Sequence, residues 1–406
     1  MLVGRTVAAL SRIVRFGTGS VIGGRASLLI DPNLLAELTR SREVVIVSAT
    51  NGKTTTTRLL AAALGTDREV VSNWLGANMT PGIVAALGPS GFDTTAVLEV
   101  DERWVELVLS ATRANTVVLL NLSRDQLDRT QEVRKIAEQW RRALTATPPK
   151  VVVANADDPL VAWASMAAPS VIWVATAQEW TADAAGCPAC SGRIDFDNGN
   201  WACTSCVLRR PVPTVSVDHK SVALPSGDFP FEMRLPGRVN RINAAFALAT
   251  ASSLNADPAR ALDALDEVAE VAGRYRVAAH NGATVRLLLA KNPAGWHEAL
   301  ELLESSDAPI IVAINARVAD GHDPSWLWDV EFERLKGRHV IAIGERRFDL
   351  AVRLRYADIR YDIAKDLDTA IAHIAQSPAF SSTTVIDVAS NYTAFQDHLD
   401  QLGGVI

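Results

Sequence analysis

The chain has 406 residues, 48% of them hydrophobic and 21% charged, with a formal net charge of −6. This length predicts two or three domains, each with a real core. The absence of a basic excess speaks against a nucleic-acid partner, because phosphate neutralisation needs a basic face. No run reaches the roughly 18 unbroken apolar residues of a membrane span.

Taken in chain order, residues 1–40 read as an N-terminal helical segment. Arg5, Arg12 and Arg15 interrupt every apolar stretch, so no signal-peptide core forms. Leu2, Val3, Val7, Leu10, Ile13 and Val14 fit one helical face. That face either packs on the following domain or forms a basic amphipathic surface for anionic lipid.

Short Val/Ile/Leu runs then alternate with helical patterns. EVVIVS (43–48), TAVLEV (95–100), TVVLLNL (116–122), KVVVANA (150–156) and SVIWVAT (170–176) predict buried strands of a parallel sheet. With helices between them, this is a βαβα pattern over 41–272. RINAAFALATASSL (241–254) predicts a long helix. A second alternating set, 284–290, 309–315, 339–344 and 383–389, predicts a smaller Rossmann-like α/β domain over 273–406.

The first strand runs into VSATNGKTTTTRLL (47–60), the strand–turn–helix context of a phosphate loop. Backbone N–H groups of residues 50–54 (Thr50, Asn51, Gly52, Lys53, Thr54) and the helix dipole favour an anion there. Gly52 permits close approach, Lys53 reaches the β- and γ-phosphates, and Thr54 offers a hydroxyl to Mg²⁺. The full G-x-x-x-x-G-K-[ST] pattern is not met, since Val47 stands where it places glycine.

Between 182 and 212 the helical period disappears and an insertion is predicted. All four cysteines lie here, as Cys187-x2-Cys190-x12-Cys203-x2-Cys206. Two C-x2-C knuckles close a tetrahedral structural Zn²⁺ site with no open position. Clustered thiols of this kind suit a reducing cytoplasm.

TNGKTTT, with NLSRDQLDR (121–129), ANADDP (154–159), GRVNRINAAFALA (237–249) and GRYR (273–276), resembles the Mur ligase superfamily. That resemblance implies a central P-loop ATPase domain, bound ATP and ligation of a carboxylate to a nitrogen nucleophile. It implies loop contacts from Thr50 through Thr55, Glu99 in LEVDE as a Mg²⁺ ligand, Asn243 as an adenine contact and Arg274 as a phosphate contact. The residues alone also allow a plain strand-end carboxylate at Glu99, an exposed helix-face Asn243 and a surface Arg274. Asp157 and Asp158 read as turn-shaping residues. Gln126 stands where the superfamily usually has His. No lysine matches its carbamylated metal ligand, with Lys135 too close to the motif.

Only about forty residues precede the loop, too few for the superfamily's UDP-holding domain. LAKNPAG (289–295), DGHDPSWLWDVEFE (320–333) and NYTAF (391–395) resemble the amidating branch of the superfamily. That implies amidation of the D-glutamate α-carboxylate in the lipid II stem peptide, through an acyl phosphate, at the inner face of the membrane. The zinc reading leaves no cysteine to serve as a glutaminase nucleophile, so ammonia has to come from a partner. The resemblance makes that partner a glutaminase subunit of GatD type, with Asp323 orienting the partner's catalytic His. Asp323 also fits a helix cap, with Asp320 as the nearest competitor for the role. Trp326 and Trp328 fit either core or interface. A stand-alone amino-acid ligase of folylpolyglutamate type and a nucleotide-dependent scaffold are the competing functions.

Overall fold

The computed structural model describes residues 20–73, 77–91, 93–124, 133–269, 274–376 and 384–403. Gln126, Gly273 and the face formed by Leu2–Val14 lie outside them. The chain divides into two compact units, Met1–Ser123 with Gln131–Ala269, and Arg124–Thr130 with Glu270–Ile406.

The first unit is built on a nine-stranded sheet. Its strands are β1 (Val44–Ser48), β2 (Val70–Ser72), β3 (Thr95–Glu99), β4 (Thr116–Leu119), β5 (Val151–Asn155) and β6 (Val171–Ala175), followed, beyond the two-stranded hairpin of β7 (Ile194–Asp197) and β8 (Asn200–Cys203), by β9 (Val215–Val217), β10 (Ser221–Leu224) and β11 (Gly227–Pro230). The order is β11-β10-β9-β6-β5-β4-β1-β3-β2. β1 lies between β3 and β4 and is parallel to both, with Val47 opposite Glu99. The chain builds outward from β1 in both directions, and the carboxyl end of such a strand is where an open α/β sheet leaves its ligand crevice. β1, β3 and β4 are buried along their whole length, which is why they read as unbroken apolar runs.

The edge meander β9–β11 escapes sequence reading. Its strands have three or four residues each and are part-exposed, so they show little apolar run.

Helix Lys53–Leu64 follows β1 directly. It opens with four threonines, all buried, although threonine is a poor helix former. Tertiary packing overrides propensity here, because the helix lies along Arg238–Ser253, whose buried face from Asn243 to Ala251 is largely alanine. Small side chains on one helix let the threonine-rich turn of the other come close.

The second unit carries a six-stranded sheet in the order β12-β13-β17-β14-β15-β16. β12 (Tyr275–His280) and β13 (Ala283–Leu289) form an antiparallel hairpin. β13, β14 (Ile310–Ala313), β15 (His339–Ile343), β16 (Arg360–Ile363) and β17 (Val385–Ser390) are parallel. Separate apolar clusters cover its two faces, one around Trp296, Phe332 and Leu350, the other around Phe395, Ile371 and Val388. No helix among the described residues is long and apolar enough to cross a membrane.

Candidate active site

The loop between β1 and its helix is held from the side. Thr50 N donates to Asn121 O (3.0 Å), and Asn51 N donates to Asn121 Oδ1 (2.9 Å). Asn121 Nδ2 returns a bond to Asn51 O (2.9 Å), and Ser123 N donates to Thr50 Oγ1 (3.0 Å). The segment after β4 therefore fixes the loop's entry. That segment is fixed in turn by Asp158, which accepts from Leu122 N (2.9 Å) while capping helix Pro159–Ser165 through Leu160 N and Val161 N. Burial pushes the Asp158 carboxyl up to about 6 against these three donors.

Gly52 has φ +88°, and a Cβ there would sit 2.6 Å from Asn243 Oδ1. Both facts require glycine. Asn243 is buried, and its Oδ1 accepts from Thr56 Oγ1 (3.2 Å). It therefore lies under the phosphate loop rather than on an exposed helix face. Thr54 and Thr55 are buried in the first helical turn.

Lys53 is 4% exposed. Its Nζ donates to Ala49 O, Thr50 O (3.3 Å) and Glu102 Oε2 (3.0 Å). Glu102 lies three residues beyond Glu99 in LEVDER, and its backbone carbonyl accepts from the buried Trp140 indole (2.8 Å). Sequence reasoning missed Glu102, and only its spacing from Glu99 could have pointed to it.

Glu99 ends β3 and is 1% exposed. Its backbone is clamped by Asn73, which accepts from Glu99 N and donates to Glu99 O, each at 2.8 Å. Asn78 Nδ2 donates to Oε1 (3.2 Å), whereas the buried Oε2 has no hydrogen-bond partner among the described residues. A buried carboxylate oxygen without a donor is costly, and a cation relieves that cost. Glu99 is thus suited to hold a cation. Lys135 lies on the exposed face of helix Val133–Ala146.

In the cysteine insertion the four sulfurs lie within 4.8 Å of one another. Cys187–Cys206 and Cys190–Cys203 are 3.7 and 3.5 Å apart. A tetrahedron with metal–sulfur bonds of about 2.3 Å has edges of about 3.8 Å, so the set fits Zn²⁺. Gly192 N and Ser205 N donate to Cys190 and Cys203, as knuckle backbones do. The Ser205 bond brings Cys203 down to about 7, while burial pushes Cys187 up to about 12. The insertion is anchored by Trp201 Nε1 donating to Ala156 O (2.9 Å) and by Arg210 pairing with Asp157 (2.5 Å). Asp157 thus ties the insertion to the sheet rather than only shaping a turn.

In the second unit Arg274 immediately precedes β12, and its carbonyl accepts from Leu289 N (3.0 Å). Asn292 of LAKNPAG caps helix Pro293–Glu304. Asp320 is buried and accepts from Thr393 N (2.8 Å), the Thr393 hydroxyl and Arg317 N. It is committed to the fold.

Asp323 is exposed at the start of a 3-10 turn, Pro324–Asp329, and accepts from Ser325 N (2.8 Å). Hydrogen bonds from the Ser325 backbone and side chain hold its carboxyl below the usual range. The two tryptophans of that turn separate. Trp326 stacks in the core on Trp296 at 6.5 Å, whereas Trp328 is 54% exposed and meets Tyr356 edge-on at 5.3 Å. Tyr356, Val352 and Phe348 are exposed at four-residue spacing on helix Arg347–Tyr356. Arg353 fastens that helix to the turn, donating to Leu327 O and Val330 O and pairing with Glu333.

Comparison with known proteins gives matches to a Mur ligase middle domain over residues 47–251 and to a MurT ligase C-terminal family over 289–395. One relative is the subunit MurT of a glutamine-hydrolysing lipid II isoglutaminyl synthase from Streptococcus pneumoniae. It is 29% identical over 370 residues, 84% of this chain and 83% of its own length. The subunit of that name from Staphylococcus aureus strain COL is 27% identical over 95% of this chain and 93% of its own length. Among solved structures, a pseudomurein peptide ligase type C from Methanothermus fervidus superposes with TM-score 0.68 at 19% identity, covering 89% of this chain and 79% of its own. A MurF ligase from Thermotoga maritima, solved with ADP, superposes with TM-score 0.59 at 16% identity, covering 90% and 84%. These last two likenesses bear on fold alone.

Proposed function

The chain belongs to the Mur ligase family, and from that premise we propose that it is the ATP-consuming subunit of a lipid II amidase-type ligase that turns the stem peptide's D-glutamate α-carboxylate into a carboxamide. A carboxylate oxygen attacks the γ-phosphorus of ATP and ADP departs, leaving an acyl phosphate. Ammonia then attacks the acyl carbon and inorganic phosphate leaves with the former carboxylate oxygen. The loop N–H groups of residues 50–54 and Lys53 stabilise charge on the transferring phosphoryl group. Mg²⁺, held by Glu99 and Thr54, would neutralise phosphate charge. Zn²⁺, held by the four cysteines, stabilises the insertion and takes no part in the reaction.

What carries the reading is one combination. A phosphate-type loop beside a buried, half-satisfied Glu99 occurs in a chain similar along most of its length to subunits named for lipid II amidation. Those relatives are named as subunits of glutamine-hydrolysing enzymes, which favours a glutaminase partner over a stand-alone ligase. We assign the partner's seat to Trp328, Tyr356, Val352 and Phe348. They form an exposed apolar face on a braced scaffold, and the turn bearing Trp328 is the one that Asp323 caps. A glutaminase seated there would present its catalytic His to an exposed, ionised Asp323. Lipid II is met at the inner membrane face by peripheral contact.

The test incubates the full chain with ATP, Mg²⁺, lipid II and glutamine, with and without a GatD-type glutaminase. Amidation only with both proteins supports the reading. Transfer of an added amino acid without the glutaminase would replace it by the folylpolyglutamate-type reading.

A further inference from the structure

Lys53 is the residue on which the proposed phosphate chemistry turns, yet its ammonium is already engaged. Ala49 O, Thr50 O and Glu102 Oε2 are among its acceptors, enough for the three hydrogens of an ammonium. Two of these acceptors are neutral carbonyls, and the third is a carboxylate whose side chain is 10% exposed, against 5% for Lys53. A phosphate can take the ammonium only by displacing one of them. In so dry a setting the acceptor that resists displacement most is the charged one. Glu102 cannot follow the lysine freely. Its backbone is tied to the Trp140 indole, and the preceding Asp101 N donates to Asn78 O (3.0 Å).

We infer that Glu102 is a positioning residue. It holds Lys53 back from the phosphates in the empty loop, competes with them when nucleotide is bound, and draws the lysine away again so that ADP can leave. This rests on the reading of residues 50–55 as the nucleotide loop and adds to it a built-in limit on nucleotide affinity. Glu102 touches no reacting atom. It acts through Lys53.

The test is calorimetric titration of the full chain with MgADP, comparing wild type, Glu102→Gln and Glu102→Asp. Glutamine keeps the shape and removes the charge, so ADP binds about tenfold tighter or more. Steady-state kcat and the KM for ATP fall together as product release slows. Aspartate keeps the charge at shorter reach and restores wild-type affinity to within about threefold. A merely structural Glu102 gives the opposite pattern, with weaker ADP binding and a raised KM. ADP affinity that is unchanged or weaker in folded Glu102→Gln overturns the inference while leaving the nucleotide loop in place. If Glu102→Gln does not fold, Glu102→Asp decides. Wild-type-like or modestly tighter ADP binding by Glu102→Asp supports the inference, and weaker binding overturns it. A wild-type chain that binds no ADP removes the loop reading itself.

Discussion

The carboxyl edges of the two sheets handle charge in opposite ways. In the nine-stranded sheet Lys53 after β1 and Glu99 and Glu102 at and just beyond the end of β3 turn inward. Lys53, Glu99 and Glu102 are nearly or fully buried, and Lys53 and Glu102 satisfy one another. In the six-stranded sheet Arg317, Asp323 and Glu345, beyond β14 and β15, turn outward, and only Asp320 among the acids of the DGHD turn stays buried. Arg317 bridges Glu345 and Asp397 at the surface, and Asp323 is exposed at the start of the turn that carries Trp328. Buried charge is costly to assemble and strong when a small charged ligand enters. Exposed charge is weak until a partner covers it. The proposed function gives the first edge a nucleotide and the second a protein partner.

The largest effect that could break this contrast is at Lys53. Lys53→Ala is expected to lower amidation at least about a thousandfold, read as single-turnover ADP formation. It also leaves Glu102 buried and unpaired, so the melting temperature falls. Adding Glu102→Gln restores the melting temperature without restoring activity. A single variant that keeps wild-type turnover would remove buried charge from the account of the first edge.

Titration separates the two units by sign. Burial brings His398, beside Ser390 at 3.2 Å, down to about 4 from 6.5. A depressed histidine contributes stability that is present above pH 6.5 and lost as pH falls toward 4, about 3 kcal/mol in all. Asp158 is raised, so its contribution runs the other way. It is present below the ordinary carboxylate range and lost as pH rises through about 6. Acidification from pH 7 to 5 should therefore loosen the second unit first, measured by hydrogen exchange in the strands of each sheet. His398→Gln should blunt that difference. Equal loss in both sheets would contradict it.

Asp323→Asn sharpens the contrast at the second edge. Asparagine caps a helical turn as well as aspartate does, so stability holds while the charge disappears. Glutamine-driven amidation should fall about a hundredfold and ammonia-driven amidation should stay at the wild-type rate. Equal loss in both assays would make Asp323 a residue of the fold. The smallest effect is expected at the apolar face. Trp328→Ala should weaken glutaminase binding about tenfold to thirtyfold by calorimetry, with ammonia-driven turnover intact.

What could be read from the sequence follows burial. β1, β3, β4 and β5 were legible because strands buried on both faces are continuous apolar runs, and the cysteine spacing was legible because knuckle geometry is local. The part-exposed meander β9–β11 and the hairpin strand β12 gave no such run. Site residues followed the same division. Lys53, Gly52 and Glu99 sit in a motif, whereas Asn73 and Asn78 gain meaning only when β2 lies beside β3, and Glu102 only when β3 lies beside β1. Trp326 and Trp328 could not be told apart by pattern, because a 3-10 turn sends residues two apart to different faces and only packing reveals which face is core.

The central claim is that phosphate captured at the first edge passes through the substrate's own carboxylate. Lipid II labelled with ¹⁸O in the D-glutamate α-carboxylate, incubated with the complete pair of subunits, ATP and glutamine, tests it directly by mass spectrometry of the phosphate released. The account predicts one labelled oxygen in inorganic phosphate for each carboxamide formed. Carboxamide formed with unlabelled phosphate would contradict it.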